Sequence, residues 1–158
     1  MPKEMSKTEL LAMAVLLSLL LGIWSAPYFG YRFMGVIGTS MNPVITEDDI
    51  VVIKTDYQEL KLGDIICYQR QIENEEFLFM HRIIEIYQDG WIQTKGDNMS
   101  ELDPYLVKPS QVIGKEILVI PKLGIPMRAI HTFYGFLLLI VVPAALLICL
   151  EIKKIFSP

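Results

Sequence analysis

Histidine and cysteine are scarce in this chain, and basic residues are fewer than acidic ones. Two histidines and two cysteines in 158 residues leave no convincing ligand cluster, so no metal and no organic cofactor is implied and the chemistry falls to ordinary side chains. Cys67 sits in a strand-like stretch of the polar middle and Cys149 inside an apolar run, so no disulfide framework is expected. With 14 Lys and Arg against 18 Asp and Glu, a net charge of −4, the chain lacks a basic footprint, which excludes the phosphate-neutralising chemistry of nucleic-acid binding. Charged residues make up 20% of the chain and apolar ones 53%, and the mean hydropathy is +0.42. The apolar excess gathers at the two ends, which points to a membrane. The length suits one domain, and there is neither an internal repeat nor a low-complexity segment.

Leu10 to Ala26 is interrupted only by Ser18, Gly22 and Ser25, and about 17 to 25 such residues cross a bilayer as a helix. A removable leader needs small residues one and three positions before the cut, whereas cuts after Ala26 or Ser25 put Trp24 or Ile23 at the third position. A retained anchor over residues 10–27 is therefore expected. A second uncharged run, Phe133 to Leu150, contains Pro143, which membrane helices tolerate, and is expected to span as well. Lys3, Lys7, Lys153 and Lys154 flank the outer ends of the two runs and favour cytoplasmic termini, against Arg32, Lys122 and Arg128 at the inner ends. The expected order is a cytoplasmic N-terminus (1–9), an anchor (10–27), an outer-face domain (35–121), a second transmembrane helix (133–150) and a cytoplasmic tail (151–158).

Between the runs the apolar positions follow a short period, at Asp49 to Lys54, Gly63 to Arg70, Phe77 to Tyr87 and Val112 to Ile120. Breaks fall at Thr46 to Asp48, Lys61 to Gly63, Gln71 to Glu75, Gln88 to Gly90 and Lys95 to Pro104. The fold class is mostly β, a compact β domain flanked by two transmembrane helices.

Gly38-Thr39-Ser40-Met41-Asn42-Pro43 places a serine in a glycine- and proline-bounded turn just after the first run. Taken alone, such a serine reads as a turn residue or helix cap. As a nucleophile it would need a base within hydrogen-bond reach. His131 lies beside the second apolar run and reads as interfacial, while His81 lies in the strand-like Phe79-Met80-His81-Arg82-Ile83-Ile84, among apolar neighbours, and is the candidate base. A base of this kind is oriented by a carboxylate, and two stand close together. Asp97 in Lys95-Gly96-Asp97-Asn98 also suits an Asx turn, and Asp103 before Pro104 also suits a solvated loop.

In order along the chain, these boxes resemble the type I signal peptidases. The Ser-Met-x-Pro box matches Ser40-Met41-Asn42-Pro43, a Gly-Asp-Ile box matches Gly63-Asp64-Ile65-Ile66, and a Gly-Asp-Asn box matches Gly96-Asp97-Asn98. A histidine at position 81, where bacterial members usually carry lysine, is similar to the endoplasmic-reticulum and archaeal branch, as is Asp103 six residues after Asp97. The likeness spans Gly35 to Pro121 and implies catalysis by Ser40, His81 and Asp103, with Asp97 assisting. It implies a membrane-bound serine endopeptidase, in the cell membrane or the endoplasmic reticulum membrane, with its catalytic domain on the extracytoplasmic or luminal face. The implied partners are signal peptides of secreted or membrane preproteins, membrane lipid and the translocation machinery. Gly38 departs from the serine that many members carry two before the nucleophile, so the second oxyanion donor falls to Thr39 or another backbone N–H. Lys95 is the alternative base, ranked below His81. Asn98-Met99-Ser100 fits a glycosylation pattern that recurs by chance. Three rivals stand beside this reading: a processing peptidase dedicated to one or a few secreted proteins, a non-catalytic anchored β binding module, and a soluble self-cleaving repressor peptidase, which would need a lysine base and a DNA-binding domain.

Overall fold

The computed structural model describes residues 6–130, 132–143, 145–146 and 149. Lys3, His131, Lys153, Lys154 and the tail 151–158 lie outside them. The first apolar run forms helix α1 (Lys7–Ser25), continued by a 3₁₀ turn at Ala26–Phe29. Over Leu10–Phe29 it is long and apolar enough to cross a membrane, and no part of it is buried against the protein. Its chain-exit end carries exposed Trp24, Tyr28 and Phe29.

Seven strands follow, β1 (Tyr31–Gly35), β2 (Ile50–Lys54), β3 (Ile65–Ile72), β4 (Glu75–Ile86), β5 (Ile92–Lys95), β6 (Leu106–Val107) and β7 (Val112–Ile120). They make one antiparallel sheet in the order β1-β2-β7-β3-β4-β5-β6. The β-branched run Ile50-Val51-Val52-Ile53 suits a pleated strand and is buried throughout. The first half of β3 is buried on both faces, and this explains its unbroken apolar run Ile65-Ile66-Cys67-Tyr68. Ile65 and Cys67 enter one core with Met41, Ile45, Val51 and Ile53, while Ile66 and Tyr68 enter a second with Ile83, Ile92 and Val107. The expected five-residue break at 71–75 shrinks to a two-residue hairpin turn. Glu73 and Asn74 take positive φ (48° and 70°) as such turns require, so the strands run through to Ile72 and start again at Glu75.

The segment after Ser40 is tied down by Asp49, which is 6% exposed and accepts from the Thr46 N–H (2.8 Å), the Thr46 hydroxyl (2.9 Å) and the Lys122 N–H (3.0 Å). The Thr46 N–H is the chief cause holding this carboxyl below its ordinary value of 3.8. A lowered folded value means that the stabilisation is full above the ordinary value and fades as pH falls through the folded one. Asp49→Asn is therefore expected to lower Tm by about 3 °C at pH 7 and by less at pH 3, read by thermal melts. An equal shift at both pH values would deny the carboxylate this role.

Helix α2 (Gly124–Ile130) is anchored to the same segment through Arg128, which donates to the Glu47 carbonyl and the Asp48 carboxylate. The expected second transmembrane helix over 133–150 is not shown as one helix. Thr132 donates to the Ala129 carbonyl and accepts from the Gly135 N–H, closing α2 and starting a short α3 (Phe133–Phe136). A wider π turn follows at Leu137–Val141, just before Pro143, which has no N–H to give to that turn. Among the described residues only the first run qualifies as a spanning helix.

Candidate active site

Ser40 lies in the turn that leaves β1, half-buried between that edge strand and the Gly96-Asp97-Asn98 turn after β5. The two turns are joined by the Asn98 N–H donating to the Ser40 carbonyl at 2.8 Å and the Asn98 side-chain amide donating to the Thr39 carbonyl at 3.1 Å. Gly96 makes that approach possible, because a Cβ there would lie 2.7 Å from the Ser40 carbonyl oxygen and 3.1 Å from the Ser40 Cβ.

His81 is on β4 opposite Ile66 of β3, so its ring shares the face of Ile66, Tyr68 and Ile83 and is 7% exposed. Its Nε2 is 3.1 Å from the Ser40 hydroxyl and its Nδ1 is 2.6 Å from Asp103 Oδ2. A carboxylate oxygen accepts, so Nδ1 carries the hydrogen and Nε2 is left to accept from the serine hydroxyl. Asp103 Oδ2 also accepts from the Thr94 hydroxyl at 2.6 Å and the Tyr68 hydroxyl at 3.4 Å. The Tyr105 hydroxyl is 3.2 Å from that of Tyr68. Burial is the main reason the Tyr68 phenol sits above its usual range, which keeps it a hydrogen-bond donor.

Asp97 is turned away from the imidazole. Its two oxygens accept from Arg82 Nε (2.8 Å) and Nη2 (2.6 Å), a bidentate pair, and Arg82 Nη1 donates to the Gly63 carbonyl at 2.7 Å. The hydrogen bonds that Arg82 donates to Asp97 are also the largest reason its guanidinium sits above its usual range. The carboxylate expected to assist at the histidine thus belongs to a clamp that joins the Gly-Asp-Ile and Gly-Asp-Asn turns. Arg82, Thr94 and Tyr68 join the site without a motif that nominates them in the sequence. The signal that could have found two of them is the strand period, since Ile66/Tyr68 and Ile92/Thr94 alternate onto the face that carries His81.

A cleft of about 660 Å³ opens beside Ser40 and His81, lined by Met34, Ile37, Gly38, Met80 and Met99 among others. Cys67 also lines it, but burial pushes its thiol up to about 11, so it stays protonated and is no rival nucleophile. Among the described residues no cluster of His, Cys, Asp and Glu could hold a metal ion.

A hydroxyl, an imidazole and a carboxylate in hydrogen-bonded series form the geometry that nucleophilic catalysis by serine requires. Sequence relatives point the same way. Signal peptidase I W of Bacillus subtilis (strain 168) is 32% identical over 89 residues, covering 53% of this chain and 45% of that protein. The signal peptidase complex catalytic subunit SEC11 of Scheffersomyces stipitis is 30% identical over 100 residues, 56% of this chain and 59% of that one. Its counterpart in Lachancea thermotolerans is 28% identical over 102 residues, 56% of this chain and 60% of that one. The chain therefore spans about half the length of the curated relatives it matches. No protein-family model matches it. These relatives bear out the resemblance to the type I signal peptidases, of the endoplasmic-reticulum type.

Proposed function

We propose that the chain is a membrane-anchored serine endopeptidase that removes signal peptides from exported preproteins, cutting after small residues. The observation that carries this reading is the Ser40–His81–Asp103 series at 3.1 Å and 2.6 Å beside an open cleft. Ser40 Oγ attacks the scissile carbonyl and passes its proton to His81 Nε2. Asp103 holds the imidazole and stabilises the imidazolium. The tetrahedral oxyanion is met by the Ser40 N–H and a second backbone donor of the Gly38–Thr39 turn. As the intermediate collapses, His81 returns the proton to the leaving amine and the C–N bond breaks. Water, deprotonated by His81, then hydrolyses the ester and restores Ser40. Asp97 supports the site through Arg82, without touching the imidazole.

The substrate lies extended along the cleft beside β1, with small residues one and three before the bond. Helix α1 holds Ser40 near the outer surface of the membrane, with Trp24, Tyr28 and Phe29 at the interface. Tethering raises the effective concentration of membrane-borne substrates without any new contact. The second apolar run crosses back, leaving both termini in the cytoplasm and residues 35–121 outside or in the lumen of the endoplasmic reticulum. Because two relatives are named as catalytic subunits of a signal peptidase complex, further subunits are natural partners. The translocation machinery, which would present the preprotein, is another.

The full chain in detergent or in its native membrane is expected to cut a preprotein bearing Ala-x-Ala after the second alanine. Replacing either alanine by a bulky residue should stop the cut. Absence of cleavage in both settings overturns the reading. Gly96→Ala should lower kcat/KM by about a hundredfold or more, because the added Cβ displaces the Ser40 turn from its bond to Asn98, and a displacement near 1 Å costs about that much. A near-normal rate would mean that the turn tolerates the shift.

A further inference from the structure

Asp103 stands between β5 and β6, outside any regular element, where a carboxylate would ordinarily be free to swing. Its main chain is held on both sides: its N–H donates to the Thr94 carbonyl at 2.9 Å, and Gln93 Nε2 donates to its carbonyl at 2.8 Å. Those bonds leave the side-chain torsions unfixed. The carboxylate itself is held by hydroxyls, and the shorter of the two bonds comes from Thr94, at 2.6 Å against 3.4 Å from Tyr68. Both reach Oδ2, the oxygen that accepts the His81 Nδ1 hydrogen.

We propose that Thr94 is a positioning residue, whose hydroxyl fixes Asp103 Oδ2 toward His81 so that Nε2 stays aimed at Ser40. The inference rests on the serine–histidine reading above. Thr94 is 0% exposed, so its hydroxyl does not exchange this partner for solvent. It lies on β5 opposite Ile83 of β4, two residues along that strand from His81, so the sheet sets its backbone relative to the imidazole. A β-branched side chain is stiff at χ1, which makes the direction of the hydroxyl a property of the strand. When Ser40 gives up its proton the imidazole becomes a cation and pulls harder on Oδ2. A carboxylate already anchored on its other flank meets that pull without turning, whereas a loose one must reorganise as the charge forms. The effect belongs to the transition state and not to substrate binding, because Thr94 does not line the cleft.

Thr94→Val keeps the shape and removes the hydroxyl, while Thr94→Ser keeps the hydroxyl and removes the methyl. With the full chain in detergent and an Ala-x-Ala preprotein, Thr94→Val should lower kcat by about tenfold and leave KM within about twofold, the loss expected for one hydrogen bond to a charged group. Thr94→Ser should stay within about threefold of wild type. The low-field proton resonance of His81 Nδ1 should persist in wild type and Thr94→Ser and move upfield in Thr94→Val. If Thr94→Val loses its cooperative melt, Thr94→Ala takes its place against Thr94→Ser. An unchanged kcat, a loss confined to KM, or a Thr94→Ser variant as poor as Thr94→Val overturns the proposal. Ser40→Ala in the same assay separates the two ideas. If it is inactive while Thr94→Val is normal, only the role of Thr94 falls; if Ser40→Ala still cuts, the serine reading falls and this inference with it.

Discussion

Replacing Ser40 by alanine is expected to lower preprotein cleavage by about a millionfold, and replacing His81 by alanine should do nearly the same, because the nucleophile and its base act as one unit. For the same reason the double variant should be no worse than either single one. The fold should survive the serine change. The side chains that pack the turn into the core are those of Met41 (2% exposed) and Ile45 (0% exposed), and neither loses a neighbour larger than one oxygen. The histidine change removes a ring from a buried position on β4 and should cost some Tm, so cleavage must be compared at a temperature where both variants are folded. The measurement is the rate of processing of an Ala-x-Ala preprotein by each purified variant. Normal cutting by Ser40→Ala would remove Ser40 from the chemistry and return the chain to the anchored binding-module reading.

Strands buried on one or both faces were legible in the sequence where apolar residues are dense. The run Val112 to Ile120 coincides with β7, and β2, β3 and β4 differ from their expected bounds by a few residues at most. β1, β5 and β6 were missed for physical reasons. Tyr31-Arg32-Phe33-Met34-Gly35 is a short, largely exposed edge strand whose apolar residues, Tyr31, Phe33 and Met34, do not alternate strictly. β5 and β6 have four and two residues, and the loop between them opens with a cluster of turn formers, Gly96-Asp97-Asn98. The strand order was not legible either, because β7 enters between β2 and β3, and a pairing across so much chain leaves no local trace. At the site, residue types and their order were enough to nominate Ser40, His81, Asp97 and Asp103. The resemblance put Asp103 first with Asp97 assisting, but the residues themselves did not separate them, since both stand in turn-like surroundings and their different partners, His81 and Arg82, arise only when β4 and β5 pair.

That difference in partners makes the two aspartates separable by experiment. Asp103→Asn should lower kcat by about ten thousandfold with little change in KM, the scale seen when the orienting carboxylate of a serine protease is neutralised. The amide is close to isosteric, but it can present an N–H to Nδ1. The imidazole then favours the opposite tautomer, with its hydrogen on Nε2 and none of the basicity Ser40 needs. Asp97→Asn removes a charge that faces Arg82 at 2.6 Å, with side chains 16% and 29% exposed, so the clamp between the two turns weakens while the imidazole keeps its partner. Its rate should fall by about tenfold, through displacement of Ser40, and its Tm should fall with it, since one half of a partly buried ion pair is left unmatched. Rate measured against Tm therefore distinguishes the roles. A large loss of rate at constant stability marks the orienting group, and a small loss that tracks stability marks the clamp. Equal, near-complete losses of rate with both variants folded would mean that Asp97 also acts on the imidazole, against the geometry in which only Asp103 reaches it.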